Sequence, residues 1–396
     1  MSELIQKNDS RATIRWKLLT GASALALTGY IASVGAASAD DTSRPLVWIE
    51  LGGQAEQVDG MSNPFTAPFM TAITPAPDVY KGIGFVSNQQ EPRFAFGEEA
   101  KITFQPENSD WLFSAGIRYG RSHANRHRHN QAPADSQHYH FTLAFTFYGY
   151  PYQYTYDGTV HPSYSALADT KTETQERHTI VDFSAGKDVG LGLFGGHGSS
   201  VLNAGVRYAS FRENSSAYIT ARPGVHIKTK MIPITFFHVS FPKYYPTFHQ
   251  YFLKGEANRS FTGIGPTLSW DASVALAGNT QDGELAFDWG INAAFLFGKQ
   301  KAKISHHTTA TKFALQNYVG TLYTPRSNHS TRSRNVTVPN IGGYAGLSVK
   351  YTDVKVSIGY RYDTFLNAMD TGIDAAKKSN VTFNGPFASI SIGIGD

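Results

Sequence analysis

The stretch LAFDWGINAAFLFG, residues 285–298, alternates along its whole length. Leu285, Phe287, Trp289, Ile291, Ala293, Phe295 and Phe297 hold the odd positions. The even positions between them are mostly small or polar, Asp288, Gly290 and Asn292 among them. Successive side chains of a strand point to opposite faces, so a period of two means a strand with one uniformly apolar face. The pattern returns in WLFSAGIRYG (111–120), SVLNAGVRYAS (200–210), TLSWDASVAL (267–276), IGGYAGLSVKY (341–351) and ASISIGIG (388–395).

Two architectures use such strands. A soluble β-sandwich turns the apolar faces onto a partner sheet. A membrane β-barrel turns them toward lipid and the polar faces toward its lumen. The apolar faces here run for about nine to eleven residues, the length of a tilted membrane-spanning strand, whereas sandwich strands average about five or six. Their ends carry Trp111, Tyr119, Tyr208, Tyr351, Tyr360 and Tyr362, and such aromatic rings prefer the headgroup level. The sequence therefore predicts an all-β chain forming a single antiparallel transmembrane β-barrel.

One motif bears on the lumen. GIRYG (116–120), GVRYA (205–209) and GYRYD (359–363) each place an arginine between an apolar or aromatic residue and a tyrosine. Parity puts the tyrosine on the lipid face and the arginine on the lumen face with the glycine, which is expected to leave room for the guanidinium to lie flat. On the lipid face near the midplane an arginine would cost about 2–4 kcal/mol. The same parity argument assigns Arg118, Asp182, Arg207, Asp271, Asp288, Asn292, Lys350 and Arg361 to the lumen as pore-lining candidates. Four cations against three anions predict a nearly neutral pore with weak anion preference.

Candidate spanning runs start near Pro45, Glu99, Trp111, Tyr139, His178, Ser199, His249, Phe261, Leu285, Lys299, Asn340, Asp353 and Val381. Single-chain bacterial barrels have an even number of strands, so about 12 are expected, with the run near His249 the one to discard. Long polar stretches at about 55–95, 122–137, 149–175, 213–248, 310–338 and 364–380 read as loops on one side. KDVG, AGNTQDG and YTD read as short turns on the other. No linker and no second domain is visible.

The start of the chain looks like an address. Lys7, Arg11, Arg15 and Lys17 precede an apolar run from Leu18, which ends in Ala37-Ser38-Ala39. A basic region, an apolar region and an A-x-A site make a cleaved secretory signal peptide of residues 1–39. Residues 40–396 are then the barrel. The remainder has no apolar stretch long enough to span a bilayer as a helix.

Other chemistries find little support. The formal net charge of +4 is too balanced to suggest a nucleic-acid partner, and the absence of cysteine excludes thiolate chemistry. Gly190, Gly192 and Gly195 match G-x-G-x-x-G, but a dinucleotide site needs a helix after it and a strand follows. His123, His127, His129, His138 and His140 could supply metal ligands. Arg126 and Arg128 between them would repel a cation, so a solvated basic segment is the expectation. No serine, histidine and acid combination falls in a recognisable arrangement. The reading is no enzyme, no cofactor and no metal.

The segments DVGLGLFGGHGSS (188–200), GIGPTLSWDAS (263–273) and FDWGINAAFLFGKQKAK (287–303) resemble those of the pore-forming outer-membrane barrels grouped with the Legionella major outer membrane protein. The resemblance covers roughly the second half of the mature chain, plus RYGRS and the histidine-rich segment after it. It implies a barrel in the outer membrane of a Gram-negative bacterium, exported through the periplasm, with a porin-like role. One departure is the ending GIGD, where many such barrels end in an aromatic residue; Phe387 precedes it. The expected partners are outer-membrane lipid and small hydrophilic solutes, and a homo-oligomer is compatible with the sequence. Two functions follow. One is a passive pore for small hydrophilic solutes. The other is a structural or adhesive barrel with a plugged lumen, whose surface loops carry recognition.

Overall fold

A computed structural model describes residues 46–60, 94–106, 109–132, 136–160, 165–189, 198–222, 225–234, 239–279, 281–314, 317–373 and 375–395. The signal-peptide segment and the whole glycine run 190–195 lie outside the described residues. The elements are strands, in chain order β1 (Leu46–Asp59), β2 (Phe94–Gln105), β3 (Trp111–Ala132), β4 (Gln137–Phe147), β5 (Tyr150–Val160), β6 (Ala166–Asp188), β7 (Gly198–Arg222), β8 (Val225–Ile234), β9 (Val239–Asn279), β10 (Gly283–Ala314), β11 (Asn317–Lys350), β12 (Val354–Asp370) and β13 (Lys378–Ile394).

Ten of them close a ring in the order β1-β2-β3-β6-β7-β9-β10-β11-β12-β13, with every neighbouring pair antiparallel. Closure comes from β1, which pairs Val47 with Phe104 of β2 on one side and with Ile394 of β13 on the other. Among the described residues the ring thus has ten strands, not about 12. The runs from His249 and Phe261 are one strand, β9, and those from Leu285 and Lys299 are one strand, β10. The run near Tyr139 is β4, which pairs only with β5 in a separate hairpin. Strand β8 is an appendage on the outer half of β9.

The exterior confirms the parity reading and then reverses it. Between Trp111 and Tyr351 at one rim and Tyr119, Tyr208, Tyr360 and Tyr362 at the other, the outward side chains are apolar and exposed. On β10 Ile291 is 54% exposed while Asp288 is 7% exposed. Past the tyrosines the same strands continue as strands. Residues 122–132, 166–175, 213–222 and 317–338, expected as loops, are ladder-paired. There the faces exchange character. Lys299, Lys301 and Lys303 point outward, and Leu296, Gln300, Ala302 and Ile304 are buried inside. The cause is the surrounding solvent. An outer face in water must be polar, so the apolar side chains move to the inner face, where they pack beside paired polar groups such as Glu213 and Arg259.

The connections are asymmetric. AGNTQDG and YTD are tight turns at one end of the ring, the first closed by Gly278 and Gly283 with positive φ and the second by a bond from Tyr351 N–H to the Val354 carbonyl, 2.7 Å. The other end carries the β4–β5 hairpin, β8 and the long strand extensions.

Candidate functional site: the polar interior of the ring

The three G-x-R-Y arginines meet inside the ring. Arg118 on β3, Arg207 on β7 and Arg361 on β12 all point inward, each beside an outward tyrosine. The Arg118 Nη1 donates to Asp363 Oδ2 at 2.5 Å. Arg207 grips Asp182 with two bonds, Nε to Oδ1 at 2.6 Å and Nη2 to Oδ2 at 3.1 Å. Its Nη1 donates to Asn292 Oδ1 at 2.7 Å and to Asn340 Oδ1. Arg361 makes the same fork with Glu99, at 2.5 and 3.3 Å, and lies 4.9 Å from the Phe387 ring. Planar guanidinium forks suit carboxylates, so Arg207 and Arg361 are held rigidly as well as neutralised, while Arg118 makes a single bond.

The other candidates line the same space. Asp271 accepts from Asn203 Nδ2 at 2.7 Å, Ser269 Oγ at 3.2 Å and the Tyr344 hydroxyl at 3.1 Å. Asp288 lies nearer the short turns and pairs with Lys355 Nζ at 2.7 Å. Lys350 sits at that end over Trp48, 6.0 Å from the ring centre, apart from the arginine cluster. Parity therefore found the inward residues but missed the partners Glu99, Asp363, Tyr344 and Lys355. Asp363 was legible in principle, because it is two residues past Arg361 and shares its face.

Two of the motif's three glycines work differently from the expectation, whereas a Cβ on Gly116 would meet nothing closer than 3.7 Å. A Cβ on Gly205 would fall 2.0 Å from the Phe183 carbonyl oxygen, and one on Gly359 would fall 2.5 Å from that of Ala345. These positions are glycine because neighbouring backbones approach closely, not to make room for an arginine.

Two connected cavities remain between these groups. One of about 140 Å³ is bounded by Arg118, Asp182, Arg207, Asn292, Asp363 and their neighbours. A second of about 110 Å³ shares Glu99, Lys101, Asp271, Tyr344 and Arg361 with it and reaches Glu50, Lys355 and Ser391 toward the short-turn end. Both are wide enough for a few water molecules. A ten-stranded ring is only slightly wider than the eight-stranded ones whose interiors side chains fill.

Toward the long end the polar space is sealed. Phe211, Phe261, Phe365 and Phe383 are at most 1% exposed, with ring centres 4.7 Å apart for Phe211–Phe365 and 5.3 Å for Phe211–Phe383. Leu296, Val338 and Met369 complete the layer. At its edge, just past the tyrosine level, His178 lies 3.1 Å from Glu56 and 3.3 Å from Glu176. Burial works against its charge, but hydrogen bonds to both carboxylates outweigh that and push its pKa up to about 9.

The histidine-rich segment pairs across its own ladders. His127 bonds Asp169 at 2.6 Å, His138 bonds Thr159 at 2.8 Å and His140 bonds Asp157. Among the described residues no group of three or more His, Cys, Asp or Glu is placed to hold a metal ion.

Comparison with known proteins agrees on the membrane. No curated protein matches the chain. Among solved structures, a TodX deltaS2S3 mutant monoaromatic hydrocarbon channel is 10% identical, over 88% of this chain and 90% of that one, with a TM-score of 0.17. The Pseudomonas putida toluene transporter TodX is 9% identical, over 90% of each chain, with a TM-score of 0.20. At such scores neither carries an argument about fold or cargo. The family model described as the Legionella pneumophila major outer membrane protein precursor matches residues 108–394, well over half the sequence. The apolar belt, the tyrosine rim and this match together place the chain in the Legionella major outer membrane protein family.

Proposed function

We propose that the protein is a transmembrane β-barrel acting as a narrow, porin-like channel for passive diffusion of small hydrophilic solutes, closed in the conformation described. The observation that carries the reading is the polar interior at the level of the apolar belt. Beyond the tyrosines the interior is closed by buried phenylalanine, leucine and isoleucine packed beside the fully buried Glu213–Arg259 pair and several threonines. Inside the belt it places Arg118, Arg207, Arg361, Asp182, Asp271 and Asp288 around water-sized cavities instead. Such a lining solvates a polar permeant, and its balanced charge gives little discrimination by sign. The proposal includes export through the periplasm of a Gram-negative cell, with residues 1–39 removed and Asp40 as the mature N-terminus. It assigns no enzymatic role. Conductance of the purified protein in a planar bilayer tests the reading. Discrete steps support it, and a silent, correctly folded barrel across voltage and pH overturns it.

A second reading has its own observation. The aromatic layer around Phe211 is buried throughout, and the strands run far past the belt with a hydrophilic exterior. That arrangement suits a plugged barrel that presents its outer extension to a neighbouring surface. The silent outcome in the bilayer favours it.

A further inference from the structure

The ladder between β12 and β13 breaks at one place. Phe365 pairs with Val381 and Met369 with Ser379, so three residues of β12 face the single residue Asn380. Asn367 adopts φ 57°, a left-handed conformation that asparagine tolerates better than most residues. Ala368 and Met369 are driven inward and are fully buried.

The chain parts from β11 after Phe365, and beyond that point it is caught by side chains from other strands. Gln300 Nε2 on β10 donates to the Ala368 carbonyl at 2.8 Å. Arg332 on β11 forks onto Asp370, 2.9 and 3.3 Å, and also donates to the carbonyls of Gly372, 2.7 Å, and Ile373, 2.8 Å. Arg259 on β9 reaches the Thr371 carbonyl at 3.4 Å. In the ring β9 is three strands away from β12, so this segment crosses the interior rather than following the wall. It lies over the aromatic layer, to which Phe365 and Met369 belong.

We infer that residues 366–373 form a lid over the long end of the polar interior, latched by Arg332, and that breaking the latch opens the lid while the ring stays closed. A wall strand holds its place by a continuous backbone ladder. This segment keeps its pairs with β13 at Met369–Ser379 and Asp370–Lys378, but its ladder with β11 ends at Phe365. Side-chain donors, three of them from Arg332, tie it to the rest of the ring, so the tip of β12 and β13 can swing out without unfolding of the ring. The inference rests on the channel reading for its consequence, but not for its geometry.

The chain has no cysteine, so a single introduced thiol reports on the lid. Ala368→Cys is labelled by a water-soluble maleimide in refolded protein, alone and combined with Arg332→Glu. The latch-broken variant is expected to label at least tenfold faster, with heat-modifiable gel migration unchanged. Arg332→Lys keeps a cationic donor for Asp370 and the neighbouring carbonyls and is expected to label nearly as slowly as the parent. Equal rates in the parent and an assembled Arg332→Glu protein, or labelling of Arg332→Lys as fast as that of Arg332→Glu, overturn the inference. If Arg332→Glu does not assemble, Asp370→Asn takes its place with the same readout and the same criterion. Bilayer currents from the same variants separate the two proposals. Faster labelling without current keeps the lid and sinks the channel, whereas current in the parent with unchanged labelling keeps the channel and sinks the lid.

Discussion

Truncation of Phe211 to alanine tests whether the ring interior past the tyrosines is a packed core. The side chain is fully buried and its ring meets Phe261, Phe365 and Phe383 at centre distances of 5.7, 4.7 and 5.3 Å. Phe→Ala at a core site costs about 3–5 kcal/mol, with the cavity left behind included. Three aromatic contacts favour the upper half of that range, since each adds about 0.5–1.5 kcal/mol beyond simple burial. The walls here are closed ladders that cannot collapse onto the hole, which again favours the upper half. We expect a loss of about 4 kcal/mol. Urea titration of protein folded into lipid vesicles, read by the shift between folded and unfolded gel migration, measures it. Lys301→Ala, on the water-facing side of the same extension, is the control and should change stability by less than about 0.5 kcal/mol. A Phe211→Ala variant that loses under about 1 kcal/mol with normal migration refutes the packed core, and with it the account of why the faces of β10 exchange character at Gly298.

Three further outcomes are expected. Ile291→Arg should block membrane assembly, because it sets an arginine against lipid at a cost of about 2–4 kcal/mol, while Asn292→Asp, which faces Arg207, should assemble; parallel behaviour in refolding assays would contradict the sidedness. His178 has a folded pKa raised to about 9 from an ordinary value of 6.5. Its protonated form therefore adds stability that is full below about pH 6.5 and fades as the pH rises to about 9; His178→Gln should remove that part of the pH dependence in urea midpoints between pH 6 and 9.5. Arg361→Gln unpairs Glu99 inside the polar space, so reversal potentials across a salt gradient should move toward cation preference, and an unchanged potential would mean that Arg361 does not face the conducting path.

The sequence by itself determined which way side chains point at the level of the membrane. Period two is a local property of the strand, and lipid imposes one rule on every outward position. Arg118, Asp182, Arg207, Asp271, Asp288, Asn292 and Arg361 could therefore be turned inward by counting alone, and the tyrosine rim could be found the same way. The exchange of faces was also written in the chain. GKQKAKIS (298–305) still alternates, with the opposite parity, but the change of parity reads as the start of a new run to anyone who expects the outer face of a barrel to stay apolar. That expectation split β9 and β10 into separate runs and raised the strand count. Only the tertiary structure decided the rest. Arg118 finds Asp363 across 245 positions of chain and Arg361 finds Glu99 across 262. Such partners depend on where the ring closes and how the strands are staggered. The lid is the extreme case, since by pattern residues 366–373 fall in a stretch that reads as a loop. They turn over the interior once the ladder with β11 ends, and Gln300, Arg332 and Arg259, on three other strands, take up their carbonyls.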